Sequence, residues 1–330
     1  MSKYAAVHSS PTGPGDARPT ALQIIQDNDL EGKLSEEKIL ITGCSSGIGI
    51  ETARALAKTG ATLYLTARDL EKAKEALDDL VDSDKVHLLA LDLNSFASVR
   101  ACAAEFLSKS SSLNILINNA GVMVPPEGRT VDGWETQFGT NHLAHFLLIQ
   151  LLTPALLSAS KPGFESRVVQ VSSSGHRQSE VMFDNVNMEG NYESWKGYGQ
   201  SKTAMNWTAN EIERRYGSRG LHAFSLHPGG ILSGLQKYVT EEIRASWGAA
   251  STQVFMKSTE QGAATTVWAA VAKELEGTGG KYLEDCQVIG PWDPATGLIG
   301  PGYAPWTYDE EKATKLWEKS LEWVGEKGGN

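Results

Sequence analysis

The chain has 330 residues, a net charge of −10 and three cysteines, Cys44, Cys102 and Cys286, with no CxxC spacing. That length suits one α/β unit of about 250 residues plus extensions and needs no disulfide or metal staples. The acidic balance argues against nucleic acid or an anionic membrane as partner, and the cysteine usage suits a reducing, cytoplasmic setting without a metal site.

Residues 1–37 read as an N-terminal extension. Its first 20 residues are rich in Ser, Pro, Gly and Asp and are expected to be disordered, while 21–30 can form a short outer helix. From residue 38 short apolar strands alternate with helices. The strands are expected at 38–42, 61–67, 86–92, 113–118, 167–173 and 221–227, and the helices at 49–59, 70–81, 95–108, 141–159 and 198–216. The longest apolar run, 146–157, is interrupted by Gln150, Thr153 and Pro154, so it reads as a buried helix; no integral membrane segment and no secretory leader are expected. Continuous apolar strands alternating with helices predict a parallel sheet covered on both faces, in a single domain spanning 38–330. Segments 177–197 and 231–258 break this rhythm after strands, where open α/β sheets bind ligands. The tail, 308–326, has the spacing of an amphipathic helix with Ala313, Leu316, Trp317, Leu321 and Val324 on one side.

Gly43, Gly47 and Gly49, with Ser45, Ser46 and Ile48 between them, follow the first strand and open the first helix of the repeat. Glycine there permits a tight turn and lets backbone amides approach a pyrophosphate at the helix N-terminus. The second strand ends in Ala67 followed by Arg68, which favours NADP(H) over NAD(H), since a basic residue suits a 2′-phosphate. Asp69 competes with that reading unless it caps the next helix. Asp92, with Leu93 after it, can meet an adenine edge or cap a helix, and both readings stay open. The turn Asn118-Asn119-Ala120-Gly121 is small enough for a nucleoside to lie on its backbone. Tyr198 and Lys202 stand four apart on one helix, so an ammonium can favour the phenolate and make the tyrosine a usable acid or base.

Together TGCSSGIG (42–49), NNAG (118–121), Asn141, VSSSG (171–175), YGQSK (198–202) and HPGG (227–230) resemble the short-chain dehydrogenase/reductase family and stand in its order. TAR (66–68) and GGKYLEDCQV (279–288) are most similar to its retinol-dehydrogenase-like branch. The resemblance implies a Rossmann-type doubly wound domain with a seven-stranded parallel sheet. It makes Tyr198 the acid/base, Lys202 its activator and a ribose ligand, Ser173 the group that orients the substrate oxygen, and Asn141 the anchor of a relay water. It places Pro228, Gly229 and Ile231 against the nicotinamide and Ser233 near the phosphates. The resemblance implies Ser173, since the family pattern places the functional serine second in its Ser-Ser pair, and alternation along the strand turns Ser172 and Ser174 to the opposite face.

One departure is spacing, since Ser173 and Tyr198 lie 25 residues apart, about twice the usual family separation. Met182, Phe183, Tyr192 and Trp195 in that insertion either wall the substrate site or fold the loop onto the body. His142, His145 and His176 lack an acid or ligand partner in sequence and read as surface or packing residues. The expected activity is NADP(H)-dependent interconversion of a carbonyl and an alcohol on a fairly large apolar small-molecule substrate, under a lid near 231–255. The resemblance also allows a homodimer through the helices that begin near Asn141 and Tyr198. Two other readings stay open: a dinucleotide-binding regulator, which has no need of the proton-relay residues, and an isomerase or cyclase on the same fold.

Overall fold

The computed structural model describes residues 2–297 and 299–326. In chain order its strands are β1 (Lys38–Thr42), β2 (Thr62–Ala67), β3 (Val86–Ala90), β4 (Ile115–Asn118), β5 (Ser166–Val171), β6 (Leu221–His227), β7 (Gly230–Ile231), β8 (Met256–Lys257), β9 (Lys281–Glu284) and β10 (Gln287–Val288). The helices are α1 (Ala21–Asp27), α2 (Ile48–Ala57), α3 (Leu70–Ala76), α4 (Phe96–Lys109), α5 (Ala144–Ala159), α6 (Ser194–Tyr216), α7 (Glu241–Gly248), α8 (Ala250–Gln253), α9 (Thr259–Gly262), α10 (Ala264–Val271) and α11 (Glu310–Val324). The main sheet has the order β10-β9-β6-β5-β4-β1-β2-β3 and is parallel except for β10.

Side-chain alternation divides the core. Leu40, Leu116, Val168 and Ala223 face α4, α5, α6 and α11. Ile39, Ile41, Ile115, Ile117, Val169 and Phe224 face the layer of α1, α2 and α10. Both faces are dry, which is why the strands read as unbroken apolar runs. The segment Phe138–Ala159 is long and apolar enough to cross a bilayer, but it lies largely buried inside the fold.

Three expectations change. The sheet has eight strands rather than seven, because Asp285 and Cys286 adopt φ 55° and 54° and fold back an antiparallel edge. Neither residue is the glycine or asparagine that announces such a hairpin. Helix α3 stops at Ala76, where Arg54 takes the Ala76 carbonyl at 3.3 Å and pairs with Asp79. The leader is ordered, not disordered: Tyr4 and Arg18 are buried, and Arg18 donates to the carbonyls of Gly13 (3.1 Å), Phe255 (2.9 Å) and Met256 (2.6 Å). Composition marked this leader as polar, but the carbonyls of Phe255 and Met256 supply partners that hold it to the body. The chain's own tail packs on the two helices through which the resemblance allowed a homodimer. Trp317 packs edge-on against Phe146 of α5, and α6 holds the tail through Trp207 Nε1 to Trp306 O and Asn210 Nδ2 to Thr307 O, both 2.8 Å.

Candidate active site

The candidate residues come from the carboxyl ends of β1 to β6, from the turn before α5 and from α6. At the end of β1, Gly43 has φ +79°, and a Cβ there would lie 2.9 Å from Ala120 Cα. A Cβ on Gly49 would lie 2.2 Å from the Gly43 carbonyl oxygen. Gly47 stands at the N-cap of α2 with φ 64° and ψ −146°, and no side chain caps the helix. The first amides of α2 are therefore free for an anion, with Ser45 half-buried and Ser46 exposed at the rim. Asn118 Oδ1, Asn119 Oδ1 and Thr66 Oγ1 are buried with no protein partner. A glycine cradle beside orphaned polar atoms is what a docked dinucleotide requires, so these residues fit one.

At the rim Arg68 is exposed, and Asp69 caps α3 by accepting from Lys72 N at 3.0 Å. Ser95 rather than Asp92 caps α4. Asp92 accepts from Asn94 N at 3.0 Å, and Leu93 beside it is buried.

Two residues that the sequence reading passed over hold this region together. The Thr42 hydroxyl accepts from the amides of Asn119 (2.9 Å) and Ala120 (3.0 Å), so its own hydrogen goes to His145 Nε2 at 3.0 Å. His145 Nδ1 then donates to the Asn141 carbonyl at 2.9 Å. Burial lowers the His145 pKa to about 4, so this neutral tautomer persists. A π-helical turn, Phe138–Leu143, precedes α5 and carries Asn141 inward. There Asn141 Oδ1 accepts from Val122 N at 2.8 Å, while Nδ2 donates to Val122 O at 2.9 Å and to Ser201 Oγ at 3.0 Å. Gly121 leaves room between these groups, since a Cβ on it would lie 3.1 Å from Asn141 Oδ1 and 3.7 Å from Lys202 Nζ.

Past β5 the serines separate as alternation requires. Ser172 turns to the Lys202 carbonyl at 3.0 Å. Ser173 Oγ instead accepts the Gly175 amide at 3.0 Å, which leaves its hydroxyl hydrogen to face Tyr198. Helix α6 starts a turn earlier than expected, so Tyr198 sits inside it and is 4 % exposed. Burial pushes its phenol up to about 12, against the opposing effect of a hydrogen bond with the Ser173 side chain. Lys202 donates to Val171 O at 2.8 Å, with its Nζ 5.7 Å from the Tyr198 ring centre. Burial lowers this amine to about 7. The expected tuning of the phenol by an ammonium is thus not visible here, because the same dry surroundings that raise the phenol weaken the lysine's hold on its proton.

The turn after β6 is pinned from below. Gly229 has φ +106°, Lys257 Nζ reaches Pro228 O at 3.3 Å, and Ile231 pairs with Lys257 in the small sheet β7–β8. That sheet ties both ends of 232–255 together. From this loop Val239, Ile243 and Trp247 pack with Met123, Val124 and Trp195 around Tyr198. Of the four insertion residues proposed as walls, Trp195 alone meets the tyrosine, edge-on at 6.3 Å. Phe183 stacks on Trp207 in the main core, Tyr192 donates to Pro125 O at 2.7 Å, and the Met182 amide meets Gln200 at 3.4 Å. Those three fold the loop onto the body. Met123 and Val124 carried no sequence signal, and Val124 holds φ 45°, unusual for a β-branched residue. Ser233 approaches the cradle, 3.6 Å from where a Gly47 Cβ would be. Among the described residues no group of His, Cys, Asp or Glu could hold a metal.

Known proteins share this arrangement. The short chain dehydrogenase family model matches residues 37–244. The short-chain dehydrogenase/reductase prx1 of Penicillium roqueforti is 54 % identical over 320 residues, covering 97 % of this chain and 94 % of its own. Retinol dehydrogenase 12 of Mus musculus is 37 % identical over 290 residues, covering 87 % of this chain and 86 % of its own. A solved protein from Mycobacterium paratuberculosis superposes with a TM-score of 0.70 at 30 % identity, covering 95 % of this chain and all of that one. The glycine cradle, the phenol and amine on α6 and this similarity over most of the chain lead to one conclusion: the protein belongs to the short-chain dehydrogenase/reductase family of oxidoreductases.

Proposed function

We propose that the protein uses NADP(H) to interconvert a carbonyl and an alcohol on a fairly large apolar substrate. The observation that carries the reading is the pairing of Ser173 with Tyr198 inside an apolar enclosure beside the glycine cradle. Gly43, Ser45, Ser46, Gly47, Ile48 and Gly49 would hold the pyrophosphate, Arg68 the 2′-phosphate, and Asp92 and Leu93 the adenine. Asn119, Ala120 and Gly121 would lie along the nucleoside, with Pro228, Gly229 and Ile231 at the nicotinamide. When bound and reduced, the dinucleotide supplies the hydride to the carbonyl carbon. Ser173 donates its hydroxyl hydrogen to the carbonyl oxygen, where negative charge develops. Tyr198 then gives its proton to that oxygen. A phenol held near 12 is fully protonated at neutral pH, which suits it as the acid of a reduction. Lys202, near 7, is poised to pass a proton back toward it, with Asn141 fixing the neighbouring turn.

The name of the retinol dehydrogenase relative is consistent with a bulky apolar alcohol or aldehyde. Trp195, Val239, Ile243 and Trp247 give the phenol apolar neighbours of that kind. We further propose a cytoplasmic setting, on cysteine usage. NADPH and NADH oxidation across a panel of small and bulky aldehydes and ketones, with product analysis, tests the reading. Faster turnover of bulky carbonyls with NADPH is expected. Turnover of none, or a product at the oxidation level of its substrate, would overturn it.

A further inference from the structure

His176 is fully buried, lies outside the relay and is bonded at both ring nitrogens. Its Nδ1 lies 2.6 Å from the Ser173 carbonyl, an acceptor, so Nδ1 carries the hydrogen. Its Nε2 receives the Ala304 amide at 2.9 Å, so that nitrogen must hold a lone pair. The two bonds fix one neutral tautomer, and a second proton would set N–H against N–H. Burial works in the same direction and lowers the pKa to about 3. The imidazole is therefore unsuited to acid–base work at neutral pH and acts by geometry.

That geometry is centred on Ser173. Its carbonyl also accepts the His176 amide at 3.1 Å, and its hydroxyl caps the short 3₁₀ turn Ser174–Gln178 that contains His176. The His176 carbonyl receives the Thr203 hydroxyl at 3.0 Å, one residue beyond Lys202 on α6. On the far side, Arg177 donates to the carbonyls of Gly300 (2.9 Å) and Gly302 (3.0 Å) and holds the segment that brings Ala304 to the ring. The His176 imidazole thus joins the end of β5 to the C-terminal segment, while its backbone carbonyl ties the same turn to helix α6.

We propose that His176 is a positioning residue for the carbonyl chemistry: its Nδ1–H fixes the Ser173 peptide so that the serine hydroxyl meets Tyr198 and the substrate oxygen. The proposal rests on the function proposed above. Asparagine can place an amide N–H where Nδ1 stands but cannot reach Ala304. Glutamine can place an oxygen where Nε2 stands but leaves the Ser173 carbonyl without its donor. The two substitutions therefore separate positioning of Ser173 from simple anchoring of the tail.

The test compares His176→Ala, His176→Asn and His176→Gln in the full chain, on a carbonyl that the wild type turns over. The alanine and glutamine variants should lose kcat by about tenfold or more, with the NADPH Kd little changed, while asparagine recovers most of it. Full kcat in the alanine or glutamine variant overturns the proposal, as does a loss in asparagine equal to that in alanine. If alanine prevents folding, asparagine and glutamine decide alone. Crystal structures of those two variants give a readout without turnover: Ser173 Oγ should stay on the Gly175 amide with asparagine and leave it with glutamine. If the wild type reduces no carbonyl, the functional reading fails, and the placement of Ser173 still decides this proposal.

Discussion

Gly175→Ala should slow turnover without touching cofactor binding. A Cβ at this position would lie 2.7 Å from Tyr198 Cε1, 2.8 Å from Cδ1 and 3.3 Å from Ser173 Oγ. Ordinary contact begins near 3.4 Å, so ring or backbone must give by about 0.7 Å. The ring is boxed in by Trp195, Met123 and Val239, and Ser173 is tied through the Gly175 amide itself. A displacement approaching 1 Å at a reacting group costs on the order of 10²-fold in rate, so kcat should fall about 10- to 100-fold. Overpacking of this kind costs about 1–3 kcal/mol, so the variant should still fold. Steady-state carbonyl reduction read against NADPH binding by fluorescence checks this. A variant with wild-type kcat would show that the phenol does not need its present place, and the reasoning would fail.

Removing the amine, in Lys202→Met, should stabilise the cofactor-free protein at pH 7 while abolishing turnover. The folded amine titrates near 7 against 10.5 in the free side chain. Between those values the unfolded chain binds a proton that the folded one refuses, so the penalty is complete below about 7 and gone above about 10.5. It amounts to on the order of 3–5 kcal/mol. A melting temperature that drops at pH 7 would contradict this. Arg68→Ala should raise the KM for NADPH by roughly tenfold and leave that for NADH nearly unchanged, the loss of one charged phosphate contact; equal effects on both cofactors would remove Arg68 from the 2′-phosphate. Arg18→Ala removes a charged donor from three carbonyls and should cost about 3 kcal/mol, with 232–255 becoming sensitive to protease. An unchanged digestion pattern would mean that the leader does not restrain this loop.

Much of this was legible because the family resemblance and the physical pattern agree. The apolar strands, the glycine loop and the spacing of Tyr198 and Lys202 place the cofactor side and the α6 pair before any coordinates. The family pattern picks Ser173, alternation puts Ser172 on the opposite face, and Ser172 does turn to the Lys202 carbonyl. What stayed hidden depends on long-range partners. Polar composition marks the leader as loose, but the carbonyls that hold Arg18 come from residues 237 and 238 positions away. His145 and His176 looked idle because their partners are a hydroxyl, backbone carbonyls and an amide, which carry no residue-type signal. Met123 and Val124 reach the phenol by a backbone turn that a β-branched residue does not advertise.

The central claim is that Tyr198 supplies the proton to a substrate oxygen. Its most direct test is Tyr198→Phe, with single-turnover carbonyl reduction measured beside the NADPH Kd. The account predicts a rate lower by about 10²–10⁴-fold, the usual worth of a general acid, with the Kd within about twofold of wild type. Reduction by the phenylalanine variant at the wild-type rate would contradict it.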